Sequence, residues 1–192
     1  MTLLVGLSGC SGAGKDTVCT LLRHKLESSW ITCTQLAMAA KVKELARATY
    51  WIYGLQPAWY YDDHRDQRSV KLPRINKTPI ELWCHTGDRA RDAYENIWVD
   101  HAMEYYYGAK CDVMFITDIR FPNEACSVQQ QAHGVLCSVV NPRVTPLETV
   151  ADHAMDGWAG NYDFTLLNDG TQMDLEEKIK PLARLIRDRI SK

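Results

Sequence analysis

The chain has 192 residues, and its 22 lysines and arginines stand against 24 aspartates and glutamates, so the formal net charge is −2. Apolar side chains make up 46% and charged ones 24%, which is typical of a globular domain that needs no disulfide or metal ion to fold. This charge balance argues against sequence-independent binding to a nucleic acid polymer, which requires an excess of basic residues. The apolar runs are too short to span a bilayer, so we expect no membrane association.

The cysteines indicate a reducing compartment. There are seven of them, and none is spaced as a CxxC pair, which disfavours a disulfide framework or a structural zinc site. Residues 1–8 are typical of a strand and not of a signal peptide. We therefore expect a single domain over residues 1–192, located in the cytoplasm.

The first part of the chain alternates between predicted strands and helices. Residues 3–8 form a short apolar run, the pattern of a strand buried on both faces. Helical spacing of apolar residues follows over 15–27, an alternating stretch over 31–36, and a second amphipathic helix over about 38–49. This order predicts an α/β fold with a parallel sheet covered by helices.

Residues 50–77 interrupt this alternation. They are rich first in aromatic and then in charged side chains, and no periodicity is visible. Irregular stretches of this length inside a domain are usually functional. The stretch is therefore predicted to be an inserted lid-like region whose Arg65, Arg68 and Lys71 attract phosphate, although an exposed charged loop explains these residues equally well.

Regular elements resume at Thr78. Thr78, Pro79 and Glu81 have the pattern of a capping box with proline in the first helical turn, so a helix begins there. An apolar stripe from Leu175 to Ile190 predicts a final helix with a kink at Pro181. The other predicted elements are a helix after residue 96, a strand at 113–117, a helix from 122 to about 134, and strands at 135–140 and 164–167.

Residues 9–15 match the GxxxxGK pattern of a phosphate-binding loop. The predicted strand before them and the helix after them are the context that this motif requires. The glycines let backbone N–H groups turn toward phosphate oxygens, and Lys15 would reach the β- and γ-phosphates of a nucleoside triphosphate. Asp16 occupies the position where a serine or threonine usually holds Mg²⁺, and Thr17 follows, so either residue is a candidate metal ligand.

A second candidate cluster follows the strand at 113–117. Ligands gather at the carboxyl ends of parallel strands, where Asp118 could order Mg²⁺-bound water and Arg120 could hold a phosphate. An Asp–Arg turn that caps the next helix is the alternative. Glu124 fits either a first-turn helix carboxylate or a substrate contact. Lys43, on the second predicted helix, could face the same site.

Four blocks of the sequence, taken in order, resemble the phage-type deoxynucleoside monophosphate kinases. The GKDT form of the loop is itself a mark of that family, and residues 78–99 are similar to its Pro-x-Glu-Leu…Leu-Gly-Thr…Trp block. The resemblance implies a three-layer α/β/α P-loop kinase fold with a mostly parallel central sheet. The blocks are SGAGKDT (11–17), LAMAAKVKELA (36–46), ITDIRFPNEA (116–125) and NDGT (168–171).

The resemblance also implies an activity and a set of site residues. It implies transfer of phosphate from ATP, with Mg²⁺, to a deoxynucleoside monophosphate for DNA precursor synthesis, by a viral protein in the host cytoplasm. A homodimer is compatible with the resemblance. The residues that it assigns to ATP and Mg²⁺ are Ser11, Gly12, Ala13, Gly14, Lys15, Asp16, Thr17, Asn168 and Gly170. Those assigned to the deoxynucleotide are Lys43, Glu44, Gly87, Trp98, Asp118, Arg120 and Glu124, to which we add Lys71 and Asp88.

Three departures from the family pattern bear on base specificity. Ile80 stands where a basic residue is common, and Asp88 where threonine is common. Residues 152–156 resemble the family's Asp-His-x-Ser-Glu stretch with its last two residues changed.

A monophosphate acceptor requires no general base, because its second phosphate pKa is about 6 and it is already dianionic at neutral pH. We expect Lys15 and Mg²⁺ on the ATP phosphates, Arg120 and Lys43 on the acceptor phosphate, and Arg65 or Arg68 at the transferring group. Two other interpretations stay open. The chain could be another small-molecule P-loop kinase, acting on dephospho-coenzyme A or phosphomevalonate, or a nucleotide-dependent switch with little turnover.

Overall fold

The computed structural model describes residues 1–158 and 160–191, except for the side chain of residue 131. The chain divides into two compact units, Met1–Ala37 with Val99–Lys192, and Met38–Trp98. Within the described residues, no helix is both long and apolar enough to cross a membrane.

The first unit contains five strands: β1 (Leu3–Ser8), β2 (Cys33–Ala37), β3 (Val113–Ile119), β4 (Val135–Val140) and β5 (Phe164–Leu167). They form one sheet in the order β2-β3-β1-β4-β5. Every pairing in it is parallel, as the strand–helix alternation of the sequence predicts. Strands β3 and β2 lie on one side of β1, and strands β4 and β5 lie on the other. The strand order therefore reverses at β1, and open α/β sheets bind ligands at the carboxyl ends of the strands beside such a switch point.

Nine α-helices are assigned in the described residues. Two 3₁₀-helical segments lie at Trp51–Tyr53 and Arg65–Ser69, and a π-helix lies at Ser127–Gln131. The α-helices are α1 (Lys15–Glu27), α2 (Ala39–Tyr50), α3 (Ala58–Asp63), α4 (Pro79–Ala93), α5 (Ile97–Gly108), α6 (Pro122–Cys126), α7 (Val150–His153), α8 (Gln172–Lys178) and α9 (Lys180–Ile190).

The main core lies between one face of the sheet and helices α1, α8 and α9. Phe115 of β3, Leu22 of α1 and Leu182 of α9 are all fully buried in it. Alternate residues of β1 and β3, such as Leu4 and Ile116, are buried as well. The inner strands are therefore covered on both faces, which explains why they are continuously apolar in sequence.

The second unit has a core of its own. Ala46 of α2, Leu55, Tyr61 of α3 and Leu82 of α4 form its buried cluster. The predicted capping box at the start of α4 is confirmed: the Thr78 hydroxyl accepts the Glu81 N–H at 3.2 Å, and the Glu81 carboxylate accepts the Thr78 N–H at 2.8 Å.

Three predictions about the extent of strands and helices are wrong. The second strand begins at Cys33 instead of residue 31, because the Thr32 N–H is bound by the Asp112 carboxylate (2.8 Å). The helix that begins at Pro122 is α-helical only to Cys126, after which the chain continues as the π-helix. The final helix is divided into α8 and α9, with Pro181 in the first turn of α9, where its missing N–H costs no intrahelical bond.

Segment 50–77 is more ordered than its sequence suggests. It contains α3, the two 3₁₀ segments and an antiparallel bridge between Leu72 and Lys77. Aromatic packing explains this order, since the Tyr61 ring meets those of Tyr60 and Trp83 edge to face at 5.2 Å. Whether the segment acts as a lid stays a prediction.

Candidate active site

The loop between β1 and α1 has the backbone that its glycines allow. Gly9, Gly12 and Gly14 all have positive φ, at 142°, 82° and 98°. A Cβ on Gly9 would lie 2.3 Å from the Val139 carbonyl oxygen of β4, and one on Gly14 would lie 2.4 Å from Asn168 Nδ2. The loop is therefore packed too closely for a side chain at Gly9 or Gly14, and its N–H groups border the amino end of α1.

Lys15 is the first residue of α1, and its side chain turns back over the loop. Nζ donates to the carbonyl oxygens of Gly9 (2.8 Å) and Cys10 (2.9 Å), and the side chain is only 5% exposed. Burial lowers the pKa of Lys15 and the Arg120 guanidinium lowers it further, whereas nearby carboxylates, Asp118 foremost, raise it. An ammonium with so little water around it interacts strongly with a phosphate that enters the loop.

Asp118 reaches Lys15 through a β-bulge. Leu7 pairs with Thr117 and Ser8 pairs with Ile119, so Asp118 is the additional residue on β3. Its φ of 76° lies in the left-handed region, which aspartate tolerates better than most residues. Bulges of this kind redirect a side chain next to functional sites. Here the bulge places Asp118 Oδ1 3.6 Å from Lys15 Nζ.

Arg120 lies on the other side of Asp118. Its Nη2 is 3.5 Å from the same Oδ1 atom, and its Nη1 forms an ion pair with the Asp152 carboxylate of α7. Lys15, Asp118 and Arg120, predicted separately as site residues, are therefore brought together by the structure. Two cations flank one carboxylate oxygen at the carboxyl ends of β1 and β3.

Asp152 is a member of this cluster that sequence reasoning did not select. Its carboxylate also accepts the N–H of Ser11 (3.2 and 3.3 Å to its two oxygens) and that of Leu147 (2.8 Å), and its side chain is 1% exposed. The signal that could have found it is the similarity of residues 152–156 to the Asp-His-x-Ser-Glu stretch.

Glu124 lies beside Arg120 but points to the backbone. Its Oε2 accepts the N–H groups of Arg120 (2.8 Å) and Phe121 (3.2 Å), and the residue is 1% exposed. This carboxylate therefore caps the start of α6 and orders the segment that carries Arg120. Its assignment to the deoxynucleotide stays a prediction.

Asn168 and Gly170 follow β5. Asn168 Nδ2 donates to the Ala13 carbonyl oxygen at 2.9 Å, so this side chain supports the phosphate-binding loop from the side. Gly170 lies against Asp174, whose Oδ2 would be 2.5 Å from a Cβ at that position. Asn168 is thus attached to the loop, and contact of either residue with adenosine stays a prediction.

Asp16 and Thr17 are exposed in the first turn of α1, as ligands of a loop-bound metal ion would be. In the described part of the chain, no three His, Cys, Asp or Glu side chains form a metal-binding group. Mg²⁺ typically takes one or two protein oxygens and completes its shell with phosphate and water. The oxygens of Asp16, Thr17 and Asp118 fit that requirement.

The second unit holds the other predicted substrate residues. Lys43 Nζ lies 5.2 Å from the centre of the Trp83 ring, a cation–π contact. Trp98 is 4% exposed, and its Nε1 donates to the Gly87 carbonyl oxygen at 3.1 Å. Trp98 is therefore part of the packing of this unit, and its assignment to the deoxynucleotide stays a prediction.

Charged side chains of this unit form local pairs. Arg68 donates to Asp62 Oδ1 (2.8 Å) and to the Tyr61 carbonyl oxygen (2.9 Å). The remaining predicted residues are Glu44, which accepts from Lys41 at 2.8 Å, Asp88, which pairs with Arg91 at 3.3 Å, and Arg65 and Lys71, which are exposed. Their roles toward nucleotides stay predictions.

Of the comparisons with known proteins, the one with solved structures found similar proteins. No protein-family model matches the sequence, and no curated protein matches it. A shikimate kinase from Aquifex aeolicus is similar over 99% of this chain and 100% of its own, with 14% identity and a TM-score of 0.43. The APS kinase CysC of Mycobacterium tuberculosis, solved with AMPPNP and APS, is similar over 95% of this chain and 98% of its own, with 14% identity and a TM-score of 0.42. Because the identities and TM-scores are this low, we infer the function from the residues of the site and not from these similar structures.

Proposed function

We propose that the protein transfers the γ-phosphate of ATP to the 5′-phosphate of a deoxynucleoside monophosphate. The observation that carries this proposal is the cluster at the carboxyl ends of β1 and β3. One oxygen of Asp118 lies 3.6 Å from Lys15 Nζ and 3.5 Å from Arg120 Nη2, so two cations are held at separate points. Two separate cations next to a phosphate-binding loop suit a donor phosphate and an acceptor phosphate.

The chemistry of such an acceptor fits the residues that are present. A phosphate with a pKa of about 6 is already a dianionic nucleophile at neutral pH, so the site requires positioning and charge neutralisation instead of a base. Lys15 supplies a charge on the donor side and Arg120 a planar fork on the acceptor side. Lys43 would add to the acceptor side.

An arginine from segment 50–77 would contact the phosphoryl group that is transferred. Arg68 is one candidate, and it would have to leave the Tyr61 carbonyl oxygen and Asp62, whose side chain is 60% exposed. Exposed ion pairs contribute little, about 0–1 kcal/mol, so this contact is easily exchanged for a phosphate. Arg65 is the alternative. Mg²⁺ held by Asp16 or Thr17, with Asp118 near its water, would neutralise charge on the phosphates when bound.

A coupled ADP-release assay tests the proposal. Each ribo- and deoxyribonucleoside monophosphate is offered with ATP and Mg²⁺, and dephospho-coenzyme A and phosphomevalonate are offered in parallel. We expect ADP release that depends on a deoxynucleoside monophosphate and on Mg²⁺. A switch would instead hydrolyse ATP slowly whatever acceptor is added.

The Lys15→Ala variant tests the site. Loss of a charge that stabilises the transferring phosphate should lower kcat/KM by about 10²-fold or more. Lys110→Ala is the matched control, because Lys110 is exposed and precedes the amino end of β3. Acceptor-independent ADP release that Lys15→Ala leaves unchanged would refute the proposal.

A further inference from the structure

Asp152 holds three separate parts of the first unit on one carboxylate. It accepts the N–H of Ser11 in the phosphate-binding loop, the N–H of Leu147 in the segment after β4, and the guanidinium of Arg120 after β3. Its own N–H donates to the Thr149 hydroxyl at 3.3 Å, which caps α7. The carboxylate is thus anchored at both its backbone and its side chain.

The burial of Asp152 indicates whether its carboxylate stays in place or is displaced when a nucleotide binds. An exposed carboxylate on Ser11 and Arg120 could act as a phosphate mimic that leaves when a nucleotide binds. The Asp152 side chain is 1% exposed, and its bond to Leu147 is shorter (2.8 Å) than its bonds to Ser11 (3.2 and 3.3 Å). Its removal from this position would leave two backbone N–H groups and a guanidinium without this acceptor, which is costly in a buried place.

Arg120 is held between two carboxylates from different elements. Asp118 is 3.5 Å from Nη2, and Asp152 is paired with Nη1. The arginine side chain is 20% exposed, so part of the fork is open to a ligand. A long side chain loses rotamer entropy when it is fixed. Because carboxylates hold Arg120 from both sides, this entropy is lost on folding and not when the ligand binds.

We propose that Asp152 is a positioning residue, which fixes the Arg120 guanidinium and the Ser11 amide of the phosphate-binding loop in one geometry before nucleotides bind. This inference rests on the proposed function, since it assigns Arg120 to the acceptor phosphate. Asp152 itself touches neither phosphate. It acts by keeping the loop and Arg120 at a constant separation.

Two substitutions at position 152 and a double-mutant cycle test this role. Asp152→Asn keeps the size of the side chain and an oxygen for the two N–H groups but removes the charge opposite Arg120. A misplacement of about 1 Å in a transfer site costs about 10²-fold, so kcat/KM for the acceptor should fall 10- to 100-fold, mostly in the acceptor KM, and Asp152→Ala should fall further. Glu148→Gln is the control, because Glu148 is an exposed carboxylate in the same segment after β4.

The cycle uses Arg120→Ala. If Asp152 acts through Arg120, then Asp152→Asn should change kcat/KM by less than about twofold in the Arg120→Ala background. A purely structural role predicts the same factor in both backgrounds and would overturn the proposal, as would wild-type kcat/KM in Asp152→Asn. If Asp152→Asn does not fold, Arg120→Lys tests the same geometry, because it keeps the charge and loses the fork; a loss of less than about threefold would overturn it.

A binding measurement separates this proposal from the proposed function. If the wild-type protein phosphorylates no monophosphate, the proposed function fails. Calorimetric titration of the four proteins of the cycle with pyrophosphate then measures the coupling directly. Non-additive losses of pyrophosphate affinity support the positioning role, and additive or absent losses overturn it.

Discussion

Replacement of Gly14 by alanine tests how the phosphate-binding loop is held. Gly14 has φ 98° and ψ 20°, and a left-handed conformation costs a residue with a Cβ about 1–2 kcal/mol. The new Cβ would also lie 2.4 Å from Asn168 Nδ2, so the amide must move and lose its 2.9 Å bond to the Ala13 carbonyl oxygen, worth about 1 kcal/mol. Together, Gly14→Ala should lower the free energy of unfolding by about 2–3 kcal/mol.

Urea unfolding monitored by circular dichroism measures this loss. Gly108→Ala is the control, since no atom lies within 4 Å of a Cβ at that position at the end of α5. It should be neutral or stabilising by up to about 1 kcal/mol. In an Asn168→Ala background the steric part disappears, so Gly14→Ala should cost about 1–2 kcal/mol there.

Two results would refute this reasoning. Wild-type stability of Gly14→Ala would mean that the loop accommodates the side chain without strain. An equal loss with and without Asn168 would mean that this amide does not restrict the loop.

Two further predictions concern stability and thiol chemistry. The Asp112 carboxylate accepts the N–H (2.8 Å) and hydroxyl (2.7 Å) of Thr32, which hold its pKa below the usual range. Asp112→Asn should therefore lower stability by about 1 kcal/mol at neutral pH, a difference that is present above pH about 4 and disappears as pH falls through the lowered pKa of Asp112. A pH-independent difference in urea unfolding would contradict this. Burial raises the pKa values of Cys19 and Cys137 to about 12, so mass spectrometry should find both unmodified by iodoacetamide at pH 8 in the native protein, and early labelling of either would contradict their burial.

Much of the scaffold can be predicted from the sequence. The β1–loop–α1 unit depends on apolar residues at strand spacing, glycines that alone tolerate the loop's backbone, and apolar residues at helical spacing, all within 25 residues of chain. The capping box at Thr78 is equally local, since both of its hydrogen bonds join residues three positions apart. Local patterns of this kind are visible in sequence because the interacting groups are neighbours in the chain.

Two features could not be predicted from the sequence: the change to a π-helix after Cys126 and the division of the final helix into α8 and α9. At Ser127–Gln131 the chain must pass into β4 with Gly134 against the backbone of Leu4, where a Cβ would lie 2.3 Å from the carbonyl oxygen. That contact joins residues 130 positions apart, so no local pattern reports it. The break at Ile179 is similar, since Ile179 is buried in the main core and helix direction there follows the packing.

The site shows the same division. The sequence predicts the loop and its lysine, and it predicts Asp118 and Arg120 as candidate site residues, because motif spacing and the end of an apolar strand are local features. The β-bulge that directs Asp118 to Lys15 is visible in the three-dimensional structure alone, as are the contacts of Asp152, 141 positions from Ser11, with the loop and with Arg120. The physical reason is that a carboxylate acts through the charges it faces, and those charges come from strands that are adjacent in the sheet and distant in the chain.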